Sequence, residues 1–118
     1  MPDTRSSTDT HGAKDRELAD LARALGHPTR VAILRFLCQH GACICGDIVD
    51  HLPFAQATVS QHLKVLKQAS LVSDEPEGTR RIYHVDPAGL GRIRQWLDRH
   101  WERALAAYVE TVEREDQE

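Results

Sequence analysis

The most informative part of this 118-residue chain is the segment Thr58-Val59-Ser60-Gln61-His62-Leu63-Lys64-Val65-Leu66. Its apolar residues Val59, Leu63 and Leu66 recur at helical spacing and therefore predict one buried face. The polar residues fall on the opposite face, at positions i, i+1, i+4 and i+8: Ser60, Gln61, Lys64 and Gln68. We therefore predict an amphipathic helix that begins near Ala55, which is a poor capping residue, and that presents polar side chains to solvent.

Three shorter helical patterns precede this segment. From residue 15 onwards, leucines recur at i, i+3 and i+7 until Gly26 ends the run. A second helix is predicted from Pro28, which suits a first helical position, to the stop at Gly41. A short third helix is predicted over residues 45–52, where Pro53 breaks it.

A β-ribbon and a long helix are predicted after residue 70. Residues 71–73 and 79–85 have strand character, and residues 74–78 between them have turn character. Asp86-Pro87 then suits the start of a final helix of roughly 40 Å. Its apolar stripe exceeds what a small domain can cover, so it predicts a partner, most simply a second copy: Leu90, Ile93, Leu97, Trp101, Ala104, Tyr108 and Val112.

Two helices joined by a short turn, followed by a β-ribbon, make a winged helix-turn-helix, so the predicted fold class is mainly α with a small β-ribbon. The polar face of the second helix suits the major groove of DNA, where Ser60, Gln61 and Lys64 can reach base edges. Arg80 and Arg81 on the ribbon can reach the DNA backbone or minor groove. The alternative interpretation is a small helical domain whose polar face is merely solvated.

Several segments resemble the ArsR/SmtB family of bacterial metal-responsive repressors. The segment Ala24-Leu25-Gly26-His27-Pro28-Thr29-Arg30 resembles the family's opening signature, residues 58–66 its recognition helix, and residues 78–83 its wing. The resemblance covers residues 17–112 and implies a homodimer built on the first and last helices. It also implies a double-stranded DNA operator with two-fold symmetry and repression relieved by a ligand. It places Thr58 and His62 in the recognition helix beside the residues named above.

Composition agrees with a single soluble domain. Hydrophobic residues make up 41% and charged residues 28% of the chain, and no apolar run suggests a membrane span or a signal peptide. We therefore expect a cytoplasmic protein. The net charge of −3 is concentrated in residues 110–118, which carry −4 and leave +1 for the remainder. We predict a disordered arm over residues 1–14, the winged domain over 15–112 and an acidic tail over 113–118.

Three cysteines lie within eight positions, which in a cytosolic chain indicates a reduced thiol cluster. Arsenite-responsive members of the resembled family carry Cys-x-Cys-Asp-Leu-Cys where this chain has Cys43-Ile44-Cys45-Gly46-Asp47-Ile48-Val49. Here a glycine is added and Val49 replaces the third cysteine, so Cys38 is the candidate third ligand. A thiol near a helix N-terminus should ionise easily. Three sulfurs fit trivalent arsenic or antimony as inducer, with no organic cofactor.

Other uses of these residues remain open. The cysteines could form a labile disulfide in a redox or reactive-sulfur sensor, or could be inert core residues. A zinc- or cadmium-responsive repressor is another alternative, because zinc members of the resembled family use a carboxylate and histidines on the last helix, and Asp98 with His100 matches the first half of such a site. His40 and His51 could be mixed ligands for a harder ion, and His84 could be a fourth, distal ligand. His62 suits packing or a phosphate contact. An enzyme is not predicted, because no Gly-rich phosphate loop or nucleophile-base arrangement is present.

Overall fold

A computed structural model describes residues 12–117. Over that range the chain forms five helices and three strands, in agreement with the predicted fold class. No helix in this range is long and apolar enough to cross a membrane. The elements in chain order are α1 (Ala13–Leu25), α2 (Pro28–His40), β1 (Cys43–Ile44), α3 (Cys45–His51), α4 (Gln56–Gln68), β2 (Val72–Glu77), β3 (Arg80–Val85) and α5 (Pro87–Gln117).

The ends of the helices follow the predicted signals. Pro28 occupies the first turn of α2, and the His27 ring at the N-cap accepts a hydrogen bond from the Thr29 amide at 3.2 Å. Gly41 ends α2 with a φ of 78°, a backbone conformation that glycine adopts most readily. Ala55 precedes α4 without any side-chain cap, as predicted. The start of α4 therefore depends on the packing of its buried face.

The β-ribbon is longer and wider than the sequence predicts. Residues 74–77, predicted as a turn, continue β2, so that only residues 78 and 79 connect the two strands. The two-residue strand β1, which was not predicted, pairs antiparallel with β3 and gives the sheet order β1-β3-β2. Cys43 lies opposite Tyr83, and Asp74 lies opposite Tyr83 from the other side. The wing strands β2 and β3 therefore share a sheet with Cys43 and Ile44, the first two residues of the cysteine motif.

Aliphatic side chains from α1 to α4 and the start of β2 form the core. Burial of these side chains supplies the main driving force for folding. Phe36 is the aromatic residue among them, in keeping with an aromatic content of 5%. The buried set comprises Leu21, Ala24, Ile33, Leu34, Phe36, Leu37, Cys43, Ile48, Val59, Leu63, Leu66, Leu71 and Val72.

Helix α5 begins against the core and then leaves it. Gly89 is buried, and its amide donates a hydrogen bond to the Ser70 carbonyl at 3.0 Å. Leu90 and Ile93 pack against the core. Beyond them the apolar side chains are exposed, and Trp101 and Tyr108 retain 64% and 66% of their accessible surface. The long apolar stripe predicted from the sequence is therefore present on α5, and most of its part beyond Ile93 is uncovered within one chain.

Helices α1 and α5 extend past the predicted limits of the winged domain at residues 15 and 112. Ala13 and Lys14, assigned to the N-terminal arm, belong to α1, and the rest of the predicted arm over 1–11 lies outside the described residues. Residues 113–117, assigned to the acidic tail, continue α5 to Gln117. The acidic residues up to Asp116 therefore lie on a helix, where Arg114 pairs with Glu110 at 3.0 Å.

Candidate nucleic-acid interface and thiol site

Helix α4 presents a polar face beside the wing. Val59, Leu63 and Leu66 are buried, which fixes the rotation of the helix about its axis. The predicted DNA-reading side chains are consequently all exposed: Thr58, Ser60, Gln61 and Lys64. Helix α3 packs against α4, so the two form the helix-turn-helix pair. The arrangement matches the geometry with which a recognition helix enters the major groove.

His62 lies on the flank of α4 rather than on its exposed face. Its ring is 4.5 Å from the His27 ring, and its Nδ1 accepts a hydrogen bond from Nη1 of Arg30 at 3.4 Å. Arg30 also donates from Nε to the Ala24 carbonyl at the end of α1, at 2.6 Å. Burial lowers the pKa of His62, and the nearby His27 and Arg30 lower it further. A neutral His62 therefore anchors α4 to α2 through Arg30.

The two wing arginines differ in their surroundings. Both are exposed on β3, but Arg81 donates from Nε to Oδ2 of Asp74 at 2.7 Å. Oδ1 of the same carboxylate lies 2.8 Å from Nζ of Lys67, in the last turn of α4. These two cations hold the pKa of Asp74 at about 2. Sequence reasoning missed Asp74, because residues 74–78 were interpreted as a turn.

The three cysteines lie on three different elements. Cys43 is buried in β1, Cys45 is half-buried as the first residue of α3, and Cys38 is exposed on α2. Two side chains at i and i+2 of a regular helix point apart, but Cys43 lies in β1 and Cys45 begins α3, so a regular helix does not separate these two thiols. Cys38 is not gathered with them, since no three His, Cys, Asp or Glu side chains within residues 12–117 are grouped to hold a metal ion.

The expectation that a helix N-terminus ionises the thiols is not met. Burial raises the pKa of Cys43, and the nearby Asp47 and Cys45 raise it further. Burial also raises the pKa of Cys45. Asp47 occupies the first turn of α3, where its carboxylate accepts a hydrogen bond from the Ile44 amide at 3.1 Å. Because burial raises the pKa of both thiols above the ordinary value, both are protonated at neutral pH.

An open pocket of about 300 Å³ connects the cysteine segment with the wing. Cys45 lies on one side of it and the wing residues Arg80, Arg81 and Tyr83 on the other. Ile44 and Gly46 complete the lining. The pocket therefore places Cys45 and the wing on facing sides of one open space.

The histidines and the aspartate considered as additional metal ligands contact neighbouring side chains. His40 stacks on Phe36 with ring centroids 4.0 Å apart, and His51 lies 5.4 Å from the same ring. His100 stacks on Trp96, 4.3 Å away. Of the remaining two candidates, Asp98 lies 3.7 Å from the Arg94 guanidinium and His84 lies 3.8 Å from the Glu75 carboxylate.

Comparison with known proteins agrees with this geometry. Residues 27–74 match the bacterial regulatory protein, arsR family. The chain is 48% identical over 93 residues to an HTH-type transcriptional regulator of Mycobacterium tuberculosis, covering 79% of this chain and 86% of that one. It is 34% identical over 83 residues to the arsenical resistance operon repressor of Staphylococcus xylosus, covering 70% of this chain and 79% of that one.

A solved structure with a similar fold comes from Mycobacterium bovis. It is a homodimeric winged helix-turn-helix DNA-binding domain of a possible ArsR-family transcriptional regulator. The two structures superpose with a TM-score of 0.59 at 27% sequence identity, and the match covers 94% of each chain. Together with the exposed polar face of α4, this defines a winged helix-turn-helix DNA-binding protein.

The chain belongs to the ArsR/SmtB family of transcriptional repressors. Its relatives are transcriptional regulators, so the prediction that it is not an enzyme is confirmed. The family resemblance inferred from residues 24–30 and 58–66 is likewise confirmed.

Proposed function

We propose that two copies of this chain bind a two-fold symmetric operator in the cytoplasm and are released from it by a thiophilic metalloid. The observation that carries this proposal is the position of the cysteine segment, which begins the first helix of the DNA-reading pair and is paired with the wing. A ligand there touches both elements that contact DNA.

The DNA contacts follow from the exposed face of α4. Ser60, Gln61 and Lys64 enter the major groove, where amide and ammonium groups read base edges and contact phosphates. Thr58 lies near the entrance of the groove. Arg80 and Arg81 contact the backbone or minor groove, and His62 supports α4 from its flank.

The dimer follows from the uncovered apolar face of α5. Burial of exposed Leu97, Trp101 and Tyr108 against a second copy removes a large apolar area from water. Helix α1 contacts α5, so the two terminal helices provide one continuous surface. The homodimeric state of the Mycobacterium bovis domain supports this assembly. Two recognition helices related by a two-fold axis then require a two-fold symmetric operator.

The inducer is trivalent arsenic or antimony bound by Cys43 and Cys45. Arsenous acid condenses with two neutral thiols, forming two As–S bonds and releasing two waters, while one hydroxyl stays on arsenic. This reaction suits thiols whose pKa is raised by burial. The same protonation disfavours redox sensing, because oxidants react with the thiolate. The relationship to an arsenical resistance operon repressor supports the choice of arsenic.

Release follows from linkage between the two sites. One arsenic atom draws both sulfurs together and distorts the junction between β1 and α3. Because α3 packs against α4 and β1 pairs with β3, the recognition helix and wing move together. A ligand that binds the distorted form better must weaken operator binding by the same factor.

The test is an operator-release titration on reduced protein. Fluorescence anisotropy follows DNA from the protein's own upstream region while arsenite, antimonite, zinc, cadmium or a disulfide-forming oxidant is added. We expect release by arsenite and antimonite at near-stoichiometric amounts, and no release in Cys43→Ser or Cys45→Ser, which still bind operator. If arsenite releases either variant from DNA, the assignment of Cys43 and Cys45 as ligands is wrong. If only zinc or only the oxidant releases the unmutated protein, the proposal of a metalloid inducer is wrong.

A further inference from the structure

The carboxylate of Asp74 joins the two DNA-contacting elements. Its side chain is only 6% exposed, and it contacts Lys67 at the end of α4 and Arg81 on β3. Both cations are about half exposed, so they border the surface that α4 and the wing offer to DNA. A largely covered carboxylate thus lies between two half-exposed cations on the surface proposed for DNA binding. It therefore calls for a reason beyond charge attraction to phosphates.

We propose that Asp74 is a specificity-determining positioning residue, which fixes α4 relative to the wing and limits the positive charge offered to non-specific DNA. The inference rests on the proposed use of α4 and the wing for DNA binding. It concerns the preference for operator over other sequences, and it is independent of the inducer.

The positioning part follows from the two short contacts. Lys67 lies one turn beyond Lys64 on α4, so its 2.8 Å contact to β2 anchors the C-terminal end of the recognition helix. Arg81 anchors the neighbouring strand to the same carboxylate at 2.7 Å. A base contact needs accurate placement of the side chain, whereas a phosphate contact tolerates movement. Loss of the anchor therefore affects operator recognition more than non-specific binding.

The limit on positive charge follows from the formal charges of the three residues in contact. Lys67, Arg81 and Asp74 together carry +1 instead of +2, because the carboxylate neutralises one cation. Non-specific binding depends on phosphate neutralisation, so each extra available cation strengthens it and steepens its dependence on salt. Asp74 thus lowers the affinity for DNA of any sequence. Because it also fixes α4 relative to the wing, it preserves the base contacts that favour the operator.

The experiment compares operator with scrambled duplex DNA over a range of salt concentrations. For Asp74→Asn we expect non-specific affinity to rise about threefold to tenfold and the operator-to-scrambled ratio to fall about tenfold. The slope of log affinity against log salt steepens by about one. Glu75→Gln is the matched control, because it removes the same charge from an exposed neighbour in β2; its ratio stays unchanged.

A second variant tests the anchor without altering Asp74. Lys67→Gln removes one partner while Arg81 still compensates the carboxylate. We expect operator affinity to fall more than scrambled affinity; an equal fall in both would make Lys67 a plain phosphate contact and overturn the inference. The inference is also overturned if the operator-to-scrambled affinity ratio is unchanged in Asp74→Asn, or if this ratio falls equally in Glu75→Gln.

The unmutated protein and Gln61→Ala separate this inference from the proposed function. A loss of operator preference in Gln61→Ala, together with unchanged ratios in the Asp74 and Lys67 variants, overturns the positioning role alone. If the unmutated protein shows no preference for operator over scrambled DNA, both the proposed function and the role of Asp74 are overturned.

Discussion

Cys43 and Tyr83 lie directly opposite each other on strands β1 and β3. Asp74 lies opposite Tyr83 on the far strand, so a thiol, a phenol and a carboxylate form one row across the sheet. Burial raises the pKa of Tyr83, and the nearby Asp74 and Cys45 raise it further. The cysteine segment and the wing therefore belong to one small structural unit, although Cys43 and Tyr83 are about forty positions apart in the sequence.

The first prediction concerns which thiols bind arsenic. Arsenite protects Cys43 and Cys45 from alkylation in the reduced protein, while exposed Cys38 remains reactive, as measured by mass spectrometry of the labelled peptides. Cys38→Ser keeps its arsenite-dependent release from operator, because Cys38 is not grouped with the other two in the described chain. Protection of Cys38, or loss of release in Cys38→Ser, would instead establish the three-sulfur site that the sequence favours.

The second prediction concerns acid sensitivity at His62. Its pKa is lowered in the folded state, so below the ordinary value of 6.5 the unfolded chain binds more protons and folding stability falls. His62→Gln keeps an acceptor for Arg30 but cannot titrate. We expect the free energy of unfolding of this variant to fall less than that of the unmutated protein between about pH 7.5 and about pH 5.5.

Urea unfolding at a series of pH values measures this difference. His100→Gln, at an exposed position on α5, is the control and should keep the pH dependence of the unmutated protein. Equal pH dependence in His62→Gln and the unmutated protein would show that the contact between Arg30 and His62 does not depend on protonation.

The third prediction concerns two glycines of α5. A Cβ at Gly89 would overlap the Ser70 carbonyl oxygen and lie 2.9 Å from the carbonyl carbon, whereas a Cβ at Gly91 would meet nothing within 4 Å. Gly89→Ala should therefore lower the free energy of unfolding by about 2–4 kcal/mol. Gly91→Ala should raise it by about 0.5–1 kcal/mol through the better helix propensity of alanine.

Chemical denaturation of the two variants checks this prediction, and each serves as the control for the other. The Ser70 backbone has little freedom to move away, because Ser70 has a φ of 61° and its amide is bonded to the Lys67 carbonyl. A neutral Gly89→Ala substitution would mean that α5 can shift along the core without loss.

The helices were predictable because their signals are local. Pro28, Gly41 and the spacing of Val59, Leu63 and Leu66 act within a few residues, and the structure agrees with each. Strand β1 was missed because two residues carry no periodicity and the pairing partner is distant in sequence. Asp74 was missed for a related reason, since its two cationic partners come from different elements.

The sequence also gives the wrong expectation for the ionisation of the cysteines, again because tertiary contacts decide the outcome. A position at a helix N-terminus can be inferred from sequence, but the burial of that position cannot. Cys43 and Cys45 are desolvated by the sheet and core, and Asp47 adds negative charge beside Cys43. Tertiary surroundings therefore set the direction of the pKa shift at both cysteines.

The last prediction concerns the apolar face of α5. Trp101 keeps 64% of its surface exposed in one chain, and its burial against a second copy should contribute about 2 kcal/mol per protomer. Because the two-fold interface contains Trp101 twice, Trp101→Ala should raise the dimer dissociation constant by about two to three orders of magnitude. Arg103→Glu, two positions away on the opposite side of α5, is the control and should leave dimerisation intact.

Sedimentation equilibrium measures the association directly, and operator binding reports its consequence. A monomer presents one recognition helix, so Trp101→Ala should bind a half-site and a full operator with similar affinity per helix, at protein concentrations where the unmutated dimer strongly prefers the full operator. A Trp101→Ala protein that sediments as a stable dimer would mean that the exposed face of α5 is not the interface, and the apolar stripe would then require a different partner.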